Sequence, residues 1–558
     1  MTSINQFSPR FISILLLFCF AGCNSHSPNA TNHEQRPRIV NIVNFIRLLE
    51  PRIAEITEDV LYQTVVKQVQ IMQQHHLPGT FLLQYDALMD ERYQQLLKKL
   101  PPSFEVGAWW EIPQPLVEKA GLKWRGRYPW DWHAHVGFST GYTPGEREQL
   151  ADVYMQDFKK IFGYYPKSVA SWFIDAHTLN YLYEKYKIVA SANCKDQLGT
   201  DGYTLWGGYW NQAYYPSKIN AYMPAQTQKN QTPVPIFRML GSDPVRQYDD
   251  GGNGSNGQGV ITLEPASQPG GGDSAWVHWY FKEFVEGQSM EYAYVQAGQE
   301  NSFTWNAMAK GFEIQMPLIA RLRNEGKVKV ETLAASGEWF RNKYPVTPAT
   351  SVTVNNDLNG SNKKTVWFNS RFYRFNLLWE NNTLRFRDIH IFNENFPSIY
   401  TKERATSNEC SFFTLPFVDG YRWGIAGKPA ALQFRIISDG KAIPMEGGTP
   451  TINDDVPGKL RIEWPLKSLS GTLVMDADEK QIQLKVEGNK TADWFLDLSA
   501  GDTALLPFTK IAPHTVSCRF EGMDYQVKAS KGNFSTSAGD AVIRIRPEMG
   551  TVILNFTQ

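Results

Sequence analysis

The segment SVASWFIDAHTLNYLYEKYKIVASANC, Ser168 to Cys194, decides the fold. It opens on the short apolar run SVASWFI, passes through HTLNYLYEKY, which reads as helix, and closes on a second short run, IVASANC. Two strands joined through a helix have the crossover connection that a parallel pair needs, whereas a hairpin turn gives an antiparallel one. The same alternation extends outward. Before it come the strand RIVNIVNFI (Arg38 to Ile46) and a helix with Leu61, Val65, Val69 and Met72 on one face. The strand TFLLQYD, the helix DERYQQLLKKL and the strand FEVGAWW follow. After an insertion, TPGEREQLADVYMQDFKKIFG carries a Thr143 cap, Pro144 in the first turn, Glu146 to complete a capping box and Gly163 as the stop. Beyond Cys194 lie PIFRML, MEYAYVQ, a long helix from Phe303 and VKVETL. Strands alternating with helices over about 300 residues predict an α/β fold with a parallel (β/α)7-8 barrel at 38–349. An open doubly wound sheet is the alternative. No Gly-x-Gly-x-x-Gly follows a strand and no Walker loop is present, which argues against nucleotide binding.

From about Thr350 the texture changes to short alternating runs such as SVTVNND, LRFRDIHIF, KQIQLKVEG and AVIRIRPEMGTVILNF. These predict one or two antiparallel β-sandwich domains over 350–558. Lys+Arg and Asp+Glu both number 56 in 558 residues, so nothing advertises nucleic acid as a partner. At the N-terminus, Arg10 precedes the apolar run FISILLLFCF, too short for a stable membrane span, and AGC ends at Cys23. This reads as a signal peptide at 1–22. AGC resembles the lipobox of bacterial lipoproteins, which implies that Cys23 is acylated and that 23–37 is a polar tether. The expected location is the cell envelope, lipid-anchored at the outer membrane and facing the periplasm. Cys194, Cys410 and Cys518 make no metal spacing and no disulfide framework.

A parallel barrel builds its site at the C-terminal ends of its strands. Acids recur there: Glu50 with Arg52 after the first strand, Asp86 after the second, Glu111 beside Trp110 after the third and Asp175 after the fourth. Asp201 follows the fifth strand, Asp243 the sixth, Glu300 the seventh and Glu338 the eighth. The loop GTDGYTLWGGYW past the fifth strand adds Trp206 and Trp210. Aromatic platforms beside carboxylates suit sugars, whose C–H faces stack on rings and whose hydroxyls bond to acids. Glu50, Arg52, Trp110, Glu111, Asp201, Trp206, Trp210 and Asp243 are therefore candidate sugar contacts. Glycosidic cleavage needs two carboxyl groups. The expected pair is Asp175, ionised by a cation such as Arg52 or Lys195, and Glu300, the proton donor with a raised pKa.

The layout resembles the glycoside hydrolase and polysaccharide deacetylase superfamily of seven-stranded barrels. Within it, SWFIDA and AGQEN fall where glycoside hydrolase family 57 places its nucleophile and its acid/base, although that family has Glu then Asp in place of Asp then Glu. CKDQLGTDGYTLWGGYW and FRMLGSDP are also similar to gut-bacterial lipoproteins of this fold. On the glycosidase reading no cofactor is expected, and the partner is an oligo- or polysaccharide. Two alternatives remain at this stage. One is a deacetylase holding a divalent metal such as zinc through WDWHAHV, with Asp131, His133 and His135, although the usual His-x-x-x-His spacing is missing. Otherwise His133 and His135 bind sugar hydroxyls. The other is a glycan-binding lipoprotein with no catalysis.

Overall fold

The computed structural model describes residues 36–247, 261–425, 427–489, 493–537 and 541–558. The expected leader and Cys23 lie outside the described residues. Seven parallel strands curl into the barrel: β1 (Arg38–Ile46), β2 (Gly79–Leu83), β3 (Phe104–Trp109), β4 (Val169–Ala170), β5 (Ser191–Asn193), β6 (Ile236–Arg238) and β7 (Ala293–Ala297). Their order is β7-β1-β2-β3-β4-β5-β6, with β4 and β5 joined by the Ser168–Ala190 bridge. The other edge of β6 pairs antiparallel with Ala213–Tyr214. Side chains span the remaining gap to β7: the Tyr292 hydroxyl bonds both backbone groups of Ala213, and Phe237 lies 4.8 Å from Tyr294.

The expected eighth strand, β8 (Lys329–Glu331), does not extend the ring. It pairs with the first half of β1, over Ile39–Asn41, while β2 pairs with the second half. Glu338 therefore sits on the helix Leu333–Lys343, exposed and paired with Lys167 at 2.8 Å just before β4. That is the N-terminal end of the barrel, opposite the expected site.

The helices obey their sequence signals. Glu58–Gln74 buries Leu61, Val65, Val69 and Met72, the predicted stripe. Pro144–Phe162 has the Thr143–Glu146 capping box and ends at Gly163, whose φ of 86° is the left-handed stop that glycine accepts.

From Thr350 onward the chain builds two large antiparallel sheets, of ten and eight strands among the described residues. Tyr373 stacks on Phe556 at 4.2 Å, and Phe434 lies 6.2 Å from Trp464, joining the sheets through their inner faces. The barrel insertion after β5 reaches into this half. Its strand Tyr203–Trp206 pairs in parallel with Cys410–Phe413. Asp201 and Gly202 turn the hairpin that leads into it, with φ of 51° and 85°. A Cβ on Gly202 would meet the Asn408 carbonyl oxygen at 2.2 Å, so the turn requires glycine. Cys194, Cys410 and Cys518 are three separate buried thiols.

Candidate active site

A cleft of about 430 Å³ opens at the C-terminal ends of the strands. At its base is Arg47, the residue after β1. Its guanidinium grips Glu111 with two bonds, Nε to Oε2 at 2.8 Å and Nη2 to Oε1 at 2.6 Å, and its Nη1 lies 3.1 Å from Glu300 Oε2. Gln84, after β2, donates a further bond to Glu111 at 2.9 Å. The ends of β1, β2, β3 and β7 are thus tied through one buried cation.

Glu300 is 4% exposed and lines the cleft. Burial pushes its pKa up to about 7; Arg47 and a 2.6 Å bond from Ser302 oppose the rise, and Glu111 adds to it. Asp86, after β2, is likewise raised to about 7 by burial, with Glu111 contributing. Thr304, four residues past Glu300, has φ of 65° and ψ of 154°, a conformation that a β-branched residue rarely adopts. Strain of this kind concentrates at functional sites, where the surroundings over-determine the backbone.

Two further carboxylates line the cleft. Glu264 accepts from Thr262 and from Gln299, each at 3.0 Å. Asp201 is half-exposed and lies 3.6 Å from Arg52, which also holds Glu50 through bonds of 2.7 and 2.8 Å. Aromatic rings form the wall. Trp172, past β4, stands edge-on to Trp109 at 5.5 Å and to Phe45 at 5.2 Å. Trp130, Trp132 and Phe138 come from the loop between β3 and β4. Asp131 pins that loop by a two-bond grip on Arg127, which holds its carboxyl at about 2. Arg127 and Arg52 both lie over the Trp132 ring, at 4.7 and 5.0 Å.

Among solved structures, the chain is similar to a candidate glycoside hydrolase/deacetylase from Parabacteroides distasonis. The TM-score is 0.51 at 14% identity, over 71% of this chain and 94% of that one. A candidate polysaccharide deacetylase from Mycobacterium smegmatis aligns at TM-score 0.36 and 12% identity, over 56% of this chain and 93% of that one. A 4-alpha-glucanotransferase from Thermococcus litoralis aligns at 0.30 and 9%, over 94% and 100%. The chain shares its fold with the first of these structures. No protein-family model matches the sequence, and no curated protein matches it.

On this barrel the candidates separate. Arg52, Asp201 and Glu300 line the cleft, with Glu50 and Glu111 behind them. Asp175 does not line it. Its carboxylate is fully buried and takes bonds from Ser139, Thr178 Oγ1, the Thr178 backbone and Arg147, at 2.6 to 2.9 Å. It caps the helix Ala176–Tyr186 and neutralises Arg147, so the expected pair with Glu300 is not formed. Trp110 points outward, because side chains alternate along a strand, and packs on Tyr154 at 6.0 Å. Trp206 donates to Asp419, and Trp210 stacks on Trp367 at 4.2 Å and 6°, both against the β half. Asp243 is turned into a local cap for Val245 and Arg246 and accepts from Trp276.

The expected metal ligands do not fit an ion. Both Asp131 oxygens belong to Arg127, and His133 Nδ1 is 3.6 Å from Asp131. The two imidazole rings are 5.8 Å apart, and His135 Nδ1 is buried without a hydrogen-bond partner among the described residues. Among the described residues no three His, Cys, Asp or Glu side chains are arranged to hold a metal.

Sequence reasoning missed Arg47, Trp130, Trp172 and Glu264, and it gave Lys195 to Asp175, whose cation is Arg147. Arg47 had a signal, being the residue directly after β1 and facing acids at three neighbouring strand ends. Glu264 had none, because it lies more than twenty residues beyond β6.

Proposed function

We propose that the chain is a carbohydrate-active hydrolase that cleaves glycosidic bonds, with Glu300 as proton donor. The observation that carries this reading is a buried carboxyl at the end of β7, with a pKa near 7, facing an aromatic cleft. Such a group holds a proton near neutral pH and gives it to a leaving oxygen. The second carboxylate is Glu264. Two neutral donors orient it and, among the described residues, no cation is in contact with it, so it keeps lone pairs for water or for the anomeric carbon. Trp172 and the rings beside it supply the stacking surface. The envelope location and the anchor at Cys23 belong to the same proposal.

The test is turnover by Glu300→Gln and Glu264→Gln on aryl glycosides and on natural glycans. Each is expected to lose on the order of 10²–10⁴ in kcat. Glu300→Gln should spare activated aryl substrates, which need no proton. Asp175→Asn is the control and should lose stability with normal kcat per folded molecule. Activity that vanishes with EDTA, returns with zinc and survives Glu300→Gln would favour the deacetylase reading.

A further inference from the structure

Nearly every charged group of the cleft has a partner of its own. Arg47 is neutralised by Glu111 and Glu300, and Arg52 by Glu50 and Asp201. Glu264 has two neutral donors. Lys195 differs. It is 4% exposed, yet its ammonium makes one contact, to Gln197 Oε1 at 3.3 Å, and no carboxylate oxygen lies within 4.0 Å of it among the described residues. Burial lowers its pKa, and Cys194, Glu264 and Asp196 oppose this only through their fields, none of them in contact with the ammonium. An ammonium taken out of water without a counter-ion in contact is costly, and folding alone gives no reason to keep it.

Its placement is built. Lys195 and Gln197 both line the cleft, and the residue between them points the other way. There Asp196 is locked by Arg238 at 2.8 Å, Arg374 at 2.5 Å and Tyr222 Oη at 2.7 Å. The backbone that carries the lysine is therefore fixed from behind. Across the cleft stand the apolar surfaces of Trp172, Tyr203, Phe138 and Leu240.

We infer that Lys195 is an anion subsite, and that the glycan taken by this cleft carries a carboxylate or a sulfate on the sugar held there. The inference rests on the reading of the cleft as a glycan site. The bound anion supplies the counter-charge that the fold omits, and the rings hold the sugar's C–H face.

The experiment is calorimetric binding to the full chain carrying Glu300→Gln. The probes are tetrasaccharides of glucuronate, galacturonate and mannuronate, sulfated galactan and chondroitin oligosaccharides, and their carboxyl-reduced or desulfated counterparts. At least one acidic probe should bind about tenfold or more tighter than its neutral counterpart. The uronate and sulfate arms separate the two anion sources. Lys195→Met should erase that preference, while Lys195→Arg keeps it. Lys195→Met should also fold at least as stably as the parent, since a structural lysine would lower the melting temperature on removal. Equal binding of acidic and neutral probes, a preference that survives Lys195→Met, or no binding of any acidic probe would overturn the inference. Hydrolysis of neutral glycans through Glu300 without acid preference would remove the subsite and leave the hydrolase. A Lys195-dependent acid preference with turnover untouched by Glu300→Gln would do the reverse.

Discussion

Glu300 and Asp175 occupy similar sequence contexts, each an acid just past a barrel strand, and their environments make them different groups. Asp175 meets a guanidinium, two hydroxyls and a backbone N–H, all of which stabilise its charge in place. Glu300 meets one shared guanidinium and one hydroxyl inside a low-dielectric wall. The consequence is measurable in stability. Glu300 and Asp86 bind a proton more tightly folded than unfolded, both with pKa values raised to about 7. The stability they support is complete below the ordinary carboxylate range and is lost as pH rises toward about 7. Glu300→Gln should remove its share, flattening the decline by up to about 3 kcal/mol between pH 4.5 and 8. Urea denaturation across that range checks it, with Asp86→Asn giving the second share. An unchanged slope in both variants would mean that neither carboxyl titrates in this window.

At the scale of elements, the loop after β5 shows how a glycine- and aromatic-rich segment can be a structural joint. Trp206, Trp210 and Trp367 form a buried cluster where the insertion meets the β half. Trp210→Ala should cost about 3–5 kcal/mol, as large-to-small changes at buried tryptophans do, and leave glycan affinity intact. Trp172→Ala should do the opposite, because that ring lines the cleft. Chemical denaturation and glycan binding on the same two proteins separate the roles. Lost affinity at unchanged stability in Trp210→Ala would return Trp210 to the substrate wall.

For the whole molecule, Arg36–Gln558 forms a single compact unit. The β half is joined to the site wall through the pairing of Tyr203–Trp206 with Cys410–Phe413, and through Arg374, which bonds both Asp196 and Asp388. Tyr203 and Lys195 thus reach the cleft from backbone that the β half braces. The proposed lipid anchor would hold this unit at a membrane surface through a polar tether. Cys23→Ser should move the protein from the membrane fraction to the soluble fraction, read by fractionation and immunoblot. Equal membrane retention would place the anchor elsewhere.

The sequence alone determined the succession of parallel strands with helices between most of them, the capped helix at Thr143, the change to β texture near Thr350 and Glu300 as a strand-end acid. These depend on local periodicity, capping chemistry and chain order, all of which act over a few residues. Only the tertiary structure decided that Trp110 faces outward, that Asp175 is spent on Arg147, that Trp206 and Trp210 are buried against the β half, and that Lys195 and Glu264 enter the cleft. Each of these depends on which partner, from about 30 to over 200 positions away, comes within a few ångströms. Hydrogen bonds and desolvation act at that range in space, and no spacing along the chain encodes it.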